Sequence, residues 1–449
     1  MSGTRPFSEA SRQTVHVAMG SLALLLRYLS AFEATLVAAI ALVFNLYALR
    51  GIARHLYRPG ESRRRWLSGI TLYPLAILVL LLILPDRLDI VAAAWGVLAF
   101  GDGMATLAGR YIRSPRLPWN PDKTTAGSAA FVLFGSAAAS FLCWWCRPAV
   151  IPPPYIWFSI WMPVLAATAA AAVETIPIRL DDNVSVPATA AAVLWSASFI
   201  SEDLAASFAA AAWPLLPLAG VANVAVAAAG YLARSVTTSG AICGAVIGTT
   251  IVVAAGWGGW TLLLATFTLA VVASRLGLRR KMQLGIAEER GGRRGAGNAF
   301  ANTGIAAGAA LLGSLSYAHD ASHVAFVAAL AAGGSDTVAS EIGKAWGRRT
   351  FLFPSFRPVP PGASGAISAE GTAAGLLGAC ALGIIGVICG LVPAWALLAV
   401  VTAATAGSFA ESLLGATLEP AGIVNNDVLN FLNTAIAAAA AIFFSDLFH

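Results

Sequence analysis

The chain has 449 residues, 58% of them hydrophobic and only 11% charged, with a mean hydropathy of +0.76. That composition excludes a soluble globular domain and points to a polytopic membrane protein. The net charge of +6 comes from short basic clusters between apolar runs rather than one patch, which argues against a nucleic-acid partner.

A helix needs roughly 17–25 mostly apolar residues to cross a bilayer. Runs of that kind lie near 11–29, 32–50, 66–84, 88–109, 126–146, 155–173, 184–201, 204–232, 239–256, 258–275, 298–316, 321–343, 369–390, 393–411 and 428–446, about fifteen predicted spans. The first follows a polar start with Arg5 and Arg12 and no processing site, so it reads as a span and not as a cleaved leader. "CWWC" at 143–146 has redox spacing, but it ends a predicted helix without partner ligands and reads as helix packing. The run 204–232 contains Pro214 and Pro217 and reads as one kinked helix or a tight pair.

Charge placement favours the single helix. With a cytoplasmic amino terminus, the basic loops 50–65, 110–125, 276–297 and 344–368 all fall inside, while the alternate loops carry little besides Arg87 and Arg147. The carboxyl terminus then lies on the opposite side. The expected fold is an all-α polytopic membrane protein: two parallel, same-orientation repeats, in domains 1–202 and 203–449, joined by a connector helix at the start of the second.

The repeat is read from the acids. In the first half a helix ends in Asp102, a polar loop "RSPRLPWNPDKTTAGS" follows, and two spans later come Glu174 and "DDNVSVP". In the second half a helix ends in Asp336, the loop "RPVPPGASGAIS" follows, and two spans later come Glu411 and "NNDVLNFLNT". Asp102 and Glu174 are 174 − 102 = 72 residues apart, and Asp336 and Glu411 are 411 − 336 = 75 apart. Same-side recurrence differs from the inverted repeats of many transporters.

A carboxylate near a membrane core costs at least ~2.5–3.5 kcal/mol to insert, so such residues are functional by default. Asp102, Glu174, Asp181, Asp182, Asp336, Glu411 and Asp427 all fall at predicted cytoplasmic helix ends. Acids there suit Mg²⁺, which takes one or two carboxylates plus substrate phosphates. Lys123 and nearby arginines suit phosphate oxygens, and "KTTAGS" enters a helix whose first amides are expected to face the same anion. Arg12 and His16 share a helix face and suit either packing or phosphate contact. Together these are parts for phosphoryl transfer. His319 and His323 fall on the predicted outer side and receive no role.

"RQTVHVAMG" (12–20), "AFGDGMATLAGR" (99–110), "LPWNPDKTTAGS" (117–128), "VETIP" (173–177) and "DDNVSVP" (181–187) together resemble the phytol kinase and dolichol kinase family of CTP-dependent membrane kinases. This chain has Gln13 and Ala126 where that family usually has lysine and glutamate. "GGRRGAGNAFANTG" (291–304), "GGSDTVASEIGK" (333–344), "PVPPGASGAISAEG" (358–371), "ESLLGATLE" (411–419) and "NNDVLNFLNT" (425–434) resemble the family that includes the plant phytyl-phosphate kinase, with Arg357 in place of its usual lysine.

The resemblance implies that the first half phosphorylates an isoprenoid alcohol with CTP and Mg²⁺, and that the second half turns the prenyl phosphate into the diphosphate. It implies Asp102 and Asp182 as metal or nucleotide ligands joined by Glu174, Lys123 as phosphate clamp, and Arg12, His16, Gly101 and Gly127 near the nucleotide. In the second half it implies Asp336, Glu341, Glu411 and Asp427 as the acids, with Asp336 and Asp427 on the metal. Asn302, Asn426, Asn430 and Gly362 would be further contacts, and Arg357 the clamp. The rival readings are a cytidylyltransferase forming a CDP-lipid and a duplicated membrane transporter.

Overall fold

Two stretches are apolar on every face: "IVAAAWGVLA" (90–99) and "VAFVAALAAGG" (324–334). A helix of that kind is stable only when surrounded by others. In the computed structural model, which describes residues 9–52, 68–286 and 292–448, each stretch is the central helix of one compact unit. The units are Met1–Ser198 and Phe199–His449. Arg5, Arg54, Arg58, Arg63, Arg64, Arg65, Arg290 and the start of the 291–304 motif lie outside the described residues.

The first unit begins with α1 (Glu9–Met19), a 3₁₀ helix Gly20–Arg27, α2 (Ala31–Tyr47), α3 (Leu49–Ile52) and α4 (Gly69–Ile83). The predicted span 11–29 is therefore two helix types. The switch comes at Gly20, whose missing Cβ lets the chain press against Ala99 and Phe100. The central helix follows as α5 (Leu88–Gly96), a π-helical turn Val97–Asp102, and α6 (Gly103–Tyr111). Ile90, Val91, Ala92, Ala93, Ala94, Val97, Leu98 and Ala99 are fully buried in it. A short hairpin of β1 (Arg116–Leu117) and β2 (Asn120–Thr124) leads into α7 (Thr125–Cys146), α8 (Ile156–Glu174) and α9 (Asp182–Ala197). Cys143 and Cys146 are buried free thiols in the helix packing.

The second unit opens with α10 (Glu202–Leu232), a single helix that contains both Pro214 and Pro217. It packs on α11 (Thr238–Arg275), where Trp260 Nε1 donates to Asn223 Oδ1 at 3.0 Å. The predicted spans 239–256 and 258–275 are the two parts of α11, broken at Gly256, whose φ of 67° and ψ of −171° are open to glycine alone. Then come α12 (Leu278–Gln283), α13 (Ala296–Leu315) and the central α14 (His319–Trp346). β3 (Thr350–Leu352), β4 (Arg357–Pro358) and β5 (Ala366–Ser368) form an antiparallel sheet in the order β4-β3-β5. α15 (Ala369–Ile388), α16 (Ala396–Thr417) and α17 (Asn426–Phe448) complete the unit. Its core gathers Ile251, Leu262, Phe326, Leu330, Leu382 and Val400 around α14.

The fold is thus mainly helical, not all-α. Prolines 115, 118 and 121, and 354, 358, 360 and 361, hold the two polar loops extended, and short strands pair there. Among the described residues eight helices are long and apolar enough to cross a membrane, beside two shorter apolar ones, Ala31–Tyr47 and Gly69–Ile83. That is fewer than the fifteen predicted. α9 has only 16 residues, and α14 carries too many polar side chains for hydropathy alone to mark it.

Candidate active sites

In the first unit the π-helical turn, which ends in Asp102, inserts extra backbone into the central helix. Such turns re-aim side chains and recur at functional sites. Gly101 packs under the Phe131 ring, where a Cβ would meet Cε1 at 3.0 Å. Gly103 admits α1, where a Cβ would meet Val17 Cγ2 at 2.5 Å. That close approach brings His16 to Asp102, with Nε2 at 3.6 Å from Oδ2. His16 Nε2 also lies 3.1 Å from the Leu98 carbonyl oxygen. A carbonyl only accepts, so this nitrogen carries the proton.

The hairpin brings the cation. Asn120, buried, donates its amide to the Thr175 carbonyl oxygen at 3.0 Å, which ties β2 to the end of α8. Lys123 then pairs with Glu174 and lies 3.4 Å from Asp182 Oδ2, at the start of α9. Oxygens of Asp102, Glu174 and Asp182 all lie within 4.8 Å of one another. Three carboxylates about one ammonium leave two negative charges when all are ionised. Burial pulls the Lys123 ammonium down, but the Asp182 and Glu174 carboxylates outweigh it and hold its pKa above the ordinary lysine value. Arg12, Asp181 and Asn183 converge over Gly69, where a Cβ would meet Asn183 Nδ2 at 3.0 Å, Arg12 Nη2 at 3.2 Å and Asp181 Oδ2 at 3.7 Å.

One expectation is corrected here. The first amides of α7 are already satisfied: Ala126 N–H donates to Ser114 Oγ at 3.1 Å, and Gly127 N–H to Thr124 Oγ1 at 3.1 Å. Gly127 is a spacing residue against Ala105 and Gly109, not an anion donor.

The second unit encloses a cavity of about 320 Å³ lined by Asp336 and Glu411. Ser408 Oγ donates to Asp336 Oδ1 at 3.2 Å. Glu411, one turn further along α16, has its Oε2 buried without a hydrogen-bond partner among the described residues. An orphaned buried carboxylate oxygen is the kind of atom a cation satisfies. Asn426, Asn430 and Gly362 line the same cavity.

The remaining expected residues do not join it. Arg357 is exposed on β4 and outside the lining. Asp427 packs against Gly297 and is outside the lining. Asn302 lies under Gly333, with its Nδ2 donating to the Asn298 carbonyl oxygen at 2.9 Å. The cations that do line the cavity are Arg294 and Lys344. Lys344 Nζ donates to Glu341 Oε1 at 3.1 Å, and the other Glu341 oxygen pairs with Lys281. In the sequence Lys281 stands only as inward-facing charge, and Lys344 as the end of the motif "GGSDTVASEIGK". The signal for Lys344 was its place three residues after Glu341, on one helix face.

The two units repeat one local arrangement. Gly109 and Gly343 each follow the acid by seven residues (109 − 102 and 343 − 336). A Cβ at Gly109 would meet Thr124 Oγ1 at 3.2 Å, and one at Gly343 would meet Ser368 Oγ at 3.1 Å. Each hydroxyl caps the next helix, accepting from Gly127 N–H and Gly371 N–H at 3.1 Å.

Residues 221–438 match the family model described as "Integral membrane protein DUF92". An uncharacterized membrane protein of Synechocystis is 37% identical over 202 residues, 44% of this chain and 78% of that protein. Protein VTE6, chloroplastic, of Arabidopsis thaliana is 33% identical over 218 residues, 47% of this chain and 66% of that one. Phytol kinase 1, chloroplastic, of the same plant is 28% identical over 192 residues, 39% of this chain and 62% of the kinase. No solved structure matches the chain.

Proposed function

Because the chain belongs to the DUF92 family of integral membrane proteins, we propose that it is a bifunctional membrane kinase acting on isoprenoids. The first unit converts an isoprenoid alcohol to its monophosphate, and the second converts the monophosphate to the diphosphate, with CTP as donor and Mg²⁺ as cofactor. The observation that carries this reading is the cluster of Asp102, Glu174, Asp182 and Lys123 at one end of an apolar bundle. A relative named phytol kinase supports it. The basic loops support a cytoplasmic position for both sites.

The donor set fits the cofactor: hard carboxylate oxygens within 4.8 Å of one another suit Mg²⁺. Asp102, Glu174 and Asp182 would hold it in the first unit, and Asp336 with Glu411 in the second. Once bound, the ion neutralises nucleotide phosphate charge. In the first unit the alcohol oxygen attacks the γ-phosphorus of CTP, and the bond from that phosphorus to the β–γ bridging oxygen breaks. CDP leaves, and the alcohol proton passes to water or to a carboxylate of the cluster. Lys123 balances charge on the phosphate oxygens, and the loose transition state asks mainly for such positioning and neutralisation.

In the second unit the attacking atom is an oxygen of the prenyl phosphate, which has no proton to lose when ionised.

The test is product analysis of the purified protein with a labelled prenol, Mg²⁺ and CTP. Prenyl diphosphate with two CDP released per molecule is the expected result. Pyrophosphate release would instead make the protein a cytidylyltransferase, and flux across proteoliposomes without nucleotide would make it a transporter.

A further inference from the structure

The two units differ in where their cation comes from. In the first, Lys123 sits immediately before the capping Thr124. The corresponding position before Ser368 is Ile367, which lines the second cavity and carries no charge. The second unit takes its ammonium from the acid-bearing helix itself. Lys344 lies two turns beyond Asp336 on α14, and its side chain leans back towards the amino end of the helix, as helical side chains do.

What holds Lys344 there is a buried relay. Lys281 is 1% exposed; it donates to the Ser274 carbonyl oxygen at 2.8 Å and pairs with Glu341. Glu341 is 3% exposed and turns its other oxygen to Lys344, which is 25% exposed. Lys281 and Glu341 cancel, so the relay presents one surplus positive charge to the cavity. That charge joins a lining that also holds the acids Asp336, Glu411 and Glu419; in the first site Lys123 pairs directly with the acids of the cluster. A neutral alcohol needs no cation of its own, whereas a phosphate monoester brings about −1.5 to −2 charges.

We infer that Lys344 is the specificity-determining residue of the second unit, contacting the phosphate already present on the substrate, and that Lys281 and Glu341 are its positioning residues. This rests on the kinase reading of the second cavity. The chemistry is unchanged: a substrate phosphate oxygen attacks the γ-phosphorus of CTP, CDP leaves, and Lys344 binds the non-attacking oxygens.

The experiment uses the full chain in detergent with geranylgeranyl monophosphate, Mg²⁺ and CTP. K344M is expected to raise KM for the monophosphate about ten- to a hundredfold, the size of a lost charge-assisted hydrogen bond. The KM for CTP should stay within about threefold, and kcat should be nearly unchanged. K344R, which keeps the charge, should regain most of the lost affinity. An unchanged KM for the monophosphate, a rise confined to CTP, or a K344R as poor as K344M would each overturn the inference. If the unaltered protein makes no diphosphate from monophosphate, the kinase reading itself fails, a separate result.

Discussion

The side-chain amide of Asn120 donates to the carbonyl oxygen of Thr175 at 3.0 Å, joining the hairpin to the helix end that bears Glu174. Both residues are buried, so the bond holds Lys123 over the acids through a rigid strand. Asn120→Ala leaves a buried carbonyl unpaired, which costs about 1–3 kcal/mol. The expected outcome is a lower melting temperature and about a tenfold or greater loss in the first phosphorylation, with conversion of supplied monophosphate unaffected. Kinetics with the alcohol and the monophosphate as separate substrates measure this.

Lys123 makes a prediction about pH. Its pKa is raised by Asp182 and Glu174 against the pull of burial. A raised lysine pKa contributes stability that is complete below the unfolded value, about 10.4, and is lost as pH rises through the folded value. Thermal unfolding should therefore show a stability difference between the unaltered protein and K123M that does not decline through neutral and mildly alkaline pH. It should shrink only above the ordinary lysine range. A difference that declines between pH 7 and 9 would contradict the ion-pair geometry.

Gly103 tests the approach of α1. Its missing Cβ leaves room for Val17, and a methyl there would meet Cγ2 at 2.5 Å. Gly103→Ala should displace α1 and carry His16 away from Asp102, at an overpacking cost of about 1–3 kcal/mol. V17A in the same chain removes the obstructing methyls and should restore both melting temperature and turnover of the alcohol. Failure of this second change to restore either would mean that Gly103 acts by some other route.

The Lys281–Glu341 pair separates stability from positioning. Removing one member strands a buried charge and costs about 3–5 kcal/mol, while replacing both with apolar residues is often neutral. K281M alone should melt well below K281M/E341M. The double variant, folded but without its relay, should still show a raised KM for the monophosphate because Lys344 has lost its partner. Thermal unfolding of both variants and kinetics of the double variant check this.

Much of the first site was legible in the chain. Asp102, Lys123, Glu174 and Asp182 recur in a pattern of acids, glycines and basic loops on one predicted side, and folding gathers all four. The π-helical turn ending in Asp102 was not legible, because nothing in "VLAFGD" departs from ordinary helical composition. Asp89 carries no signal in the sequence either. It is wholly buried and held by two hydrogen bonds from Arg87, at 3.0 and 2.9 Å, a pairing two residues apart that periodicity does not reveal.

The second site was read less well for a physical reason. Resemblance and position along the chain point to Arg357 and Asp427, but an exposed edge strand and packing against Gly297 draw them elsewhere. Lys281 carries no signal beyond that of a topology charge, because most lysines beside membrane helices are such charges, and Lys344 shows only as the end of a motif. Only three-dimensional burial distinguishes them. The break at Gly256 is visible as glycine punctuation, whereas Pro214 and Pro217 lie inside an unbroken α10. The strands are not visible, since two- and three-residue pairings leave almost no periodic signal.

The central claim, two phosphoryl-transfer sites in one chain, is tested most directly by following labelled geranylgeraniol through D102N and D336N with CTP and Mg²⁺. D336N should accumulate the monophosphate. D102N should make nothing from the alcohol yet convert supplied monophosphate to diphosphate, each loss being at least about a hundredfold. Both variants converting alcohol to diphosphate at the unaltered rate would contradict it.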